Sequence, residues 1–191
     1  MKYLKKFNNP AELDTFKKSA DYVAPNVSYI VDFNRVDYNA RDYEVPPFYA
    51  EAVDDSMIFT LRLSSSSKSF EYSLDCNTWT SVTSGTYTPA IKAGERVYFR
   101  ASGLGVSTSD GIGKMLGSSG KRFKVGGNIL SLIRGANLND ETITMKSYQF
   151  YKIFDSNTML IDAGSLLLPD TTADSCYGRM FYRCSSLISA P

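Results

Sequence analysis

The chain contains no histidine, and that absence removes the commonest general base and the commonest metal ligand. A Ser-His-Asp or Cys-His nucleophile pair cannot be assembled within it. The three cysteines, Cys76, Cys176 and Cys184, show no CxxC spacing, so a zinc site is not expected, and an odd, sparse set does not suggest a secreted disulfide scaffold. Cys176 and Cys184 suit small buried apolar groups instead. The acids open to paired-carboxylate chemistry are Asp54, Asp55, Glu71, Asp75 and Glu95. A glycosidase needs two of them in one cleft, and nothing in their spacing singles out a pair. Asp54, Asp55 and Asp75 also lack the regular loop spacing of a calcium site. No catalytic residue, metal or cofactor is expected.

Two further stretches invite chemistry. In "GIGKMLGSSGKRF" a phosphate loop would need G-x-x-x-x-G-K-[ST], but Thr108 stands where Lys114 requires the first glycine, and Met115 where Lys121 requires it. The stretch reads as a glycine loop, unstructured until Phe123. "SLDCNTW", Ser73 to Trp79, resembles the Asp-box of sialidase-type propellers, with one residue too few and Asn77 near the glycine position. That motif is a hairpin turn, so a plain β-turn with a packed Trp79 is expected, with a lectin-like or glycosidase role as the alternative.

Composition bounds the rest. Hydrophobic residues make up 43% and charged residues 21%, near globular averages, in a chain of 191 residues that can bury a real core. With 21 basic and 20 acidic residues the formal charge is +1, which argues against a nucleic-acid footprint. "MKYLKKFNNPAELD" has no apolar core of a signal peptide, and no run is long enough to span a membrane, so export and membrane insertion are not expected.

The elements that would position any site change character along the chain. In residues 1–44, Asn9 caps a helix, Pro10 fits its first turn, Glu12 completes a capping box, and Leu13 and Phe16 share a face. Val27, Tyr29 and Val31 then alternate, "DFNR" turns the chain, and Val36 and Tyr38 resume, predicting a hairpin. This module is either a subdomain packed on the rest or a docking element that completes its core on a partner. Pro46-Pro47 marks a boundary. Residues 45–127 carry the strand candidates "MIFTLRL", "SFEYSL", "TPAIK" and "ERVYFRA", which suit an antiparallel sandwich or barrel. "ILSLI" opens residues 128–191 as either strand or helical turn.

The last segment repeats. A shift of 27 residues lays Phe150 on Tyr177, Ile153 on Met180, Phe154 on Phe181, Asn157 on Cys184, Leu160 on Leu187, Ile161 on Ile188 and Ala163 on Ala190. A period of that length is the mark of a solenoid. Each unit supplies a short helix-like piece ("CYGRMFYR") and a short extended piece ("SSLISA"), and neither unit can bury its apolar face alone. The expected repeat core is Phe150, Ile153, Phe154, Leu160, Ile161, Cys176, Tyr177, Met180, Phe181, Cys184, Leu187 and Ile188.

At "LLLPDTTADSCYGRMFYRCSSLISAP" the chain resembles the BspA-like leucine-rich repeats of Bacteroidales and their phages, whose pattern is close to "LP-TT-----CY--MF--C-SL--AP". "TTADSCY" is one residue shorter than that pattern. The stretch "FEYSLDCNTWTSVTSGTYTPAIKAGERVYFRA" resembles the β-domain that often precedes such repeats. "MKYLKKFNNPAELDTFKKSADYVAPNVSYI" resembles an N-terminal module of structural proteins in Bacteroides-infecting, crAss-like phages.

The resemblance implies a mainly β protein with minor α: an N-terminal helix and hairpin, a sandwich-like middle and the start of a leucine-rich-repeat solenoid. It implies a non-enzymatic virion protein, a head or tail fibre component made in the host cytoplasm. Such a protein would dock to other virion proteins through Tyr3, Phe7, Leu13 and Phe16 and present repeats to a host surface protein or glycan. A cell-surface adhesin built on the same repeats is the alternative; a carbohydrate-binding or carbohydrate-active module is the third. Fewer than two full units are visible, so either the array continues or another chain covers the last unit, and a homo-oligomer, dimer or trimer, is expected.

Overall fold

The structure, a computed structural model, describes residues 45–137, 144–169 and 173–191. The helix and hairpin expected in residues 1–44, with Tyr3, Phe7, Leu13 and Phe16, lie outside the described residues. Pro46–Pro191 forms one compact unit.

This unit is mainly β. Its elements are β1 (Tyr49–Ala52), β2 (Phe59–Leu63), β3 (Ser69–Ser73), β4 (Thr80–Thr83), β5 (Arg96–Arg100), β6 (Gly113–Gly117), β7 (Phe123–Asn128), the short helix α1 (Ser131–Arg134) and β8 (Leu160–Leu167). One sheet has the order β4-β3-β5-β1-β7-β8, and a second pairs β2 with β6. Every pairing is antiparallel except β7 with β8, which is parallel and carries register shifts near Lys124. The β-rich sheets are consistent with a sandwich-like middle region, but the larger sheet is mixed, because β8 joins its edge from the repeat segment.

Strand pleating explains the layers. In β5, Val97 and Phe99 are buried while Arg96, Tyr98 and Arg100 face outward, the alternation of a sheet with one face on a core. The outward positions pair across strands: Arg96 to Glu51 at 2.8 Å and Arg100 to Glu71 at 2.6 Å. Inward, Phe48 contacts both Phe99 and Phe154 with ring centroids 6.0 Å apart, and Phe59 of β2 meets Phe123 of β7 edge-on at 5.5 Å. One core cluster therefore runs from Phe48 through the sheets to Cys184. The boundary expected after residue 127 falls within β7, with core residues of that same cluster on both sides.

Several local expectations change. "GKMLG" is strand β6 rather than loop, with Gly113 and Gly117 placed where the backbone or Met57 leaves no room for a Cβ. "TPAIK" contributes only an isolated bridge, Ile91 to Met57, whereas Thr80–Thr83 and Tyr49–Ala52 form strands. The ambiguous "ILSLI" leads into α1, whose Ser131 hydroxyl donates to the Phe99 carbonyl and accepts from the Phe48 N–H.

Candidate functional site

The repeat segment is built from turns, not helix. From Lys146 to Asn157 every second N–H turns back to the carbonyl three residues earlier: Gln149 to Lys146, Tyr151 to Tyr148, Ile153 to Phe150, Asp155 to Lys152 and Asn157 to Phe154. Residues Ala173 to Cys184 do the same, from Cys176 to Ala173 through Cys184 to Phe181. Tyr148, Lys152 and Ser156 sit at φ of 62°, 57° and 64°, and their equivalents Ser175, Arg179 and Arg183 at 55°, 54° and 58°. The backbone conformation thus repeats at the same 27-residue shift as the side chains. A left-handed residue at every fourth position breaks the α-helix that "CYGRMFYR" suggests and makes a flat ribbon of turns.

The alternate N–H groups join the two ribbons. Tyr148 donates to Asp174, Phe150 to Cys176, Lys152 to Gly178, Phe154 to Met180 and Ser156 to Tyr182, at 2.8–3.1 Å. The extended pieces continue this contact, with Ala163 N–H donating to Ser189 and Ile188 N–H to Ile161. Rings stack in register along it: Phe150 on Tyr177 at 2° between planes, and Phe154 on Phe181 at 10°.

Most of the expected repeat core lies together. Phe150, Ile153, Phe154, Leu160, Cys176, Met180 and Cys184 are buried, and Tyr177, Phe181 and Leu187 are partly buried against them. Two residues depart. Ile161 is only partly buried and Ile188 is 87% exposed, because extended backbone sends neighbours to opposite faces. Leu160 and Leu187 take the inward places, so Ile161 and Ile188 point out. Gln149, the partner of Cys176 at the 27-residue shift, is buried and was not singled out; the mismatch of Gln with Cys hides it from an apolar pattern.

Asn157 and Cys184 occupy the same inward turn. The Asn157 amide donates to the Met115 carbonyl at 2.7 Å, and the Cys184 thiol to the Phe154 carbonyl at 3.0 Å. Ile112 and Met115, the latter in the strand β6 that follows, close the other side of the first ribbon, donating to the Gln149 and Ile153 carbonyls. Gly111, at φ 61°, lies so close that a Cβ there would fall 2.7 Å from the Tyr148 oxygen.

The outward surface of the two ribbons is aromatic and cationic. Tyr148 meets Tyr151 edge-on at 5.3 Å, Lys152 lies over Tyr151, and Arg179 and Arg183 both lie over Tyr182, which is 47% exposed. Tyr and Arg are enriched in protein-recognition surfaces.

No protein-family model, curated protein or solved structure matches this chain.

Each of the candidate acids is engaged by a partner of its own. Asp75 accepts from the Asn77 and Thr78 N–H groups and the Ser73 hydroxyl, bonds that hold its carboxyl at about 2. Asp54 is likewise lowered to about 2 by hydrogen bonds from Arg122. Glu71 is engaged by Arg100, Glu95 by the Lys92 N–H and Asp55 by the Ala93 N–H. A general acid needs a raised carboxyl, so these two move in the wrong direction. In "SLDCNTW" the Trp79 indole donates to the Cys76 carbonyl and Arg100 stacks on its ring 4.1 Å from the centroid. Burial pushes the Cys76 thiol up to about 12 and raises Cys184 as well. Among the described residues no group of three metal-ligating side chains converges, and no helix is long and apolar enough to cross a membrane.

Proposed function

We propose that this chain is a non-enzymatic structural protein of a phage particle, a head or tail fibre component. Its N-terminal segment docks to other virion proteins, and its turn ribbons begin a leucine-rich-repeat solenoid presented towards the host surface. The observation that carries this reading is the ladder from the first ribbon to the second, at one fixed register in backbone and side chain. Stacked repeat units are how extended binding surfaces are built. The outward Tyr, Lys and Arg side chains suit contact with a protein or glycan. The lowered carboxyls of Asp54 and Asp75 weigh against their serving as the general acid of a carbohydrate-active enzyme, and the resemblance of the repeats and of residues 1–30 to phage-associated sequences supplies the setting.

The test is mass spectrometry of purified particles with a cell-envelope fraction alongside. Peptides of this chain in the particles establish the virion assignment. Peptides confined to the envelope sink it and promote the cell-surface adhesin.

A further inference from the structure

The turn "SLDCNTW" between β3 and β4 has no part in the ribbons, yet its own side chains tie it closely. Asp75 accepts from the Asn77 and Thr78 N–H groups and from the Ser73 hydroxyl, and the Trp79 indole donates to the Cys76 carbonyl. Cys76 is buried, and Leu74 at the head of the turn is left 50% exposed. Between this turn and the start of β5 lies a cleft of about 370 Å³, lined by Leu74, Ile91, Gly94, Glu95, Arg96 and Tyr98. That volume falls within the range of small-ligand pockets, near its lower end. Arg96 and Tyr98 reach the cleft from the outward face of β5, the side away from buried Val97 and Phe99.

The lining has an apolar part and a polar part. Leu74, Ile91 and the Tyr98 ring supply the first, and Glu95 and Arg96 the second. One Glu95 oxygen accepts from the Lys92 N–H at 2.7 Å, and the other has no donor among the described residues. Arg96 gives its Nε–H to Glu51 and keeps further donors on its guanidinium fork. The two formal charges offset each other: a carboxylate ligand would be repelled by Glu95 and an ammonium by Arg96. A neutral ligand whose hydroxyls both donate and accept satisfies the two together, and the apolar part asks for C–H surface on the same molecule. A pyranose ring has both, a face of C–H groups and a rim of adjacent hydroxyls. We infer that this cleft binds a neutral pyranose of a glycan, its C–H face on Leu74 and Tyr98 and its hydroxyls shared between Glu95 and Arg96.

The site binds without cleaving. Among the described residues Glu95 is the one carboxylate lining the cleft, whereas glycoside hydrolysis works with a pair. The walls stand ready before a sugar arrives: Asp75 fixes the turn that carries Leu74, and the Tyr98 hydroxyl interacts with the Cys76 thiol and the Arg96 guanidinium. Side chains already held in place lower the ordering cost of binding. The inference concerns the sheet unit alone and does not depend on the fibre assignment.

The experiment is titration of the full chain with the methyl glycosides of glucose, galactose, mannose and N-acetylglucosamine, up to tens of millimolar, followed by amide chemical shifts. At least one glycoside is expected to shift the amides of Leu74, Glu95, Arg96 and Tyr98 saturably, with a millimolar Kd, as suits one small ring on an open cleft. Leu74→Ala, at a half-exposed side chain, is expected to weaken that affinity about fivefold while leaving the melting temperature unchanged. Leu167→Ala is the control: that side chain is 47% exposed on β8, at the opposite edge of the sheet from the turn, and its loss should leave the affinity as it was. No saturable shift with any of the four glycosides overturns the site. Shifts at these amides with sodium acetate or tetramethylammonium chloride but not with the glycosides overturn the neutral ligand, because a single charged group then governs the cleft. A glycoside affinity that Leu74→Ala leaves unchanged overturns the placement of the sugar on this turn.

Discussion

Asn157 is the side chain that ties the first ribbon to the sheets. Met115 lies opposite Leu61 in the β2–β6 register, but its N–H donates to Ile153 and its carbonyl accepts from the Asn157 amide at 2.7 Å. Both polar groups of Met115 thus leave the ladder and turn to the ribbon, as alternate residues of an antiparallel strand do. Asn157→Ala leaves that carbonyl without its donor beside the fully buried Met115 side chain. An unsatisfied buried acceptor costs about 1–3 kcal/mol. The lost side-chain atoms add a small void, so the total is about 2–3 kcal/mol, or a fall in melting temperature of about 5–10 °C for a unit of this size. Urea and thermal unfolding followed by circular dichroism give the loss, and amide exchange at Met115 shows whether it arises at this contact. Asn157→Cys is expected to be milder, since Cys184 fills the equivalent turn and its thiol donates to a carbonyl there. A loss below about 0.5 kcal/mol with Met115 exchange unchanged would refute the tie, because it would mean water or a shifted backbone serves the carbonyl equally well.

Other outcomes follow from the same contacts. Phe154→Ala removes a fully buried ring that touches Phe48 and stacks on Phe181, and unfolding should show a loss of about 3–5 kcal/mol. Gly111→Ala forces a Cβ against the Tyr148 and Tyr151 backbone at a positive φ; exchange should quicken at Ile112 and Met115 first, and a uniform change across the unit would contradict the local cause. Asp54 and Asp75 are lowered from 3.8 to about 2 in the folded state. The unfolded chain therefore binds more protons in that window, and their stabilisation is present above pH 3.8 and fades as pH falls towards 2. Asp75→Asn should shrink the fall in melting temperature between pH 4 and pH 2, and an unchanged fall would remove Asp75 from the account. The buried, upward-shifted Cys76 and Cys184 should resist a thiol reagent at neutral pH until the chain is unfolded; rapid labelling of the native chain would show that the core opens.

How far the sequence reaches depends on the range of the physics involved. The repeat was legible because inward positions recur with the chain, and Phe150, Ile153, Phe154, Asn157 and Leu160 each have a counterpart that packs in the same place. Strands β2, β3 and β5 were legible for the same local reason: β-branched and aromatic residues alternate in them, bounded by turn residues. The absence of histidine by itself removed whole classes of catalysis. The ribbon was not legible, because its left-handed residues are Tyr, Lys, Ser and Arg, types with no local preference for that conformation. The ladder between the ribbons ties the two conformations together, with the first ribbon's alternate N–H groups donating to the second ribbon's carbonyls 26 residues along the chain. Strand β6 was hidden for a related reason: glycines at Gly113 and Gly117 spell a loop in isolation, but here they admit the close approach of β2 and Met57. The parallel pairing of β8 with β7, the closure of the first ribbon by Ile112 and Met115, and the ladder from the first ribbon to the second were decided by the tertiary structure alone. Each is a long-range hydrogen-bond choice, made only once the core has brought distant backbone together.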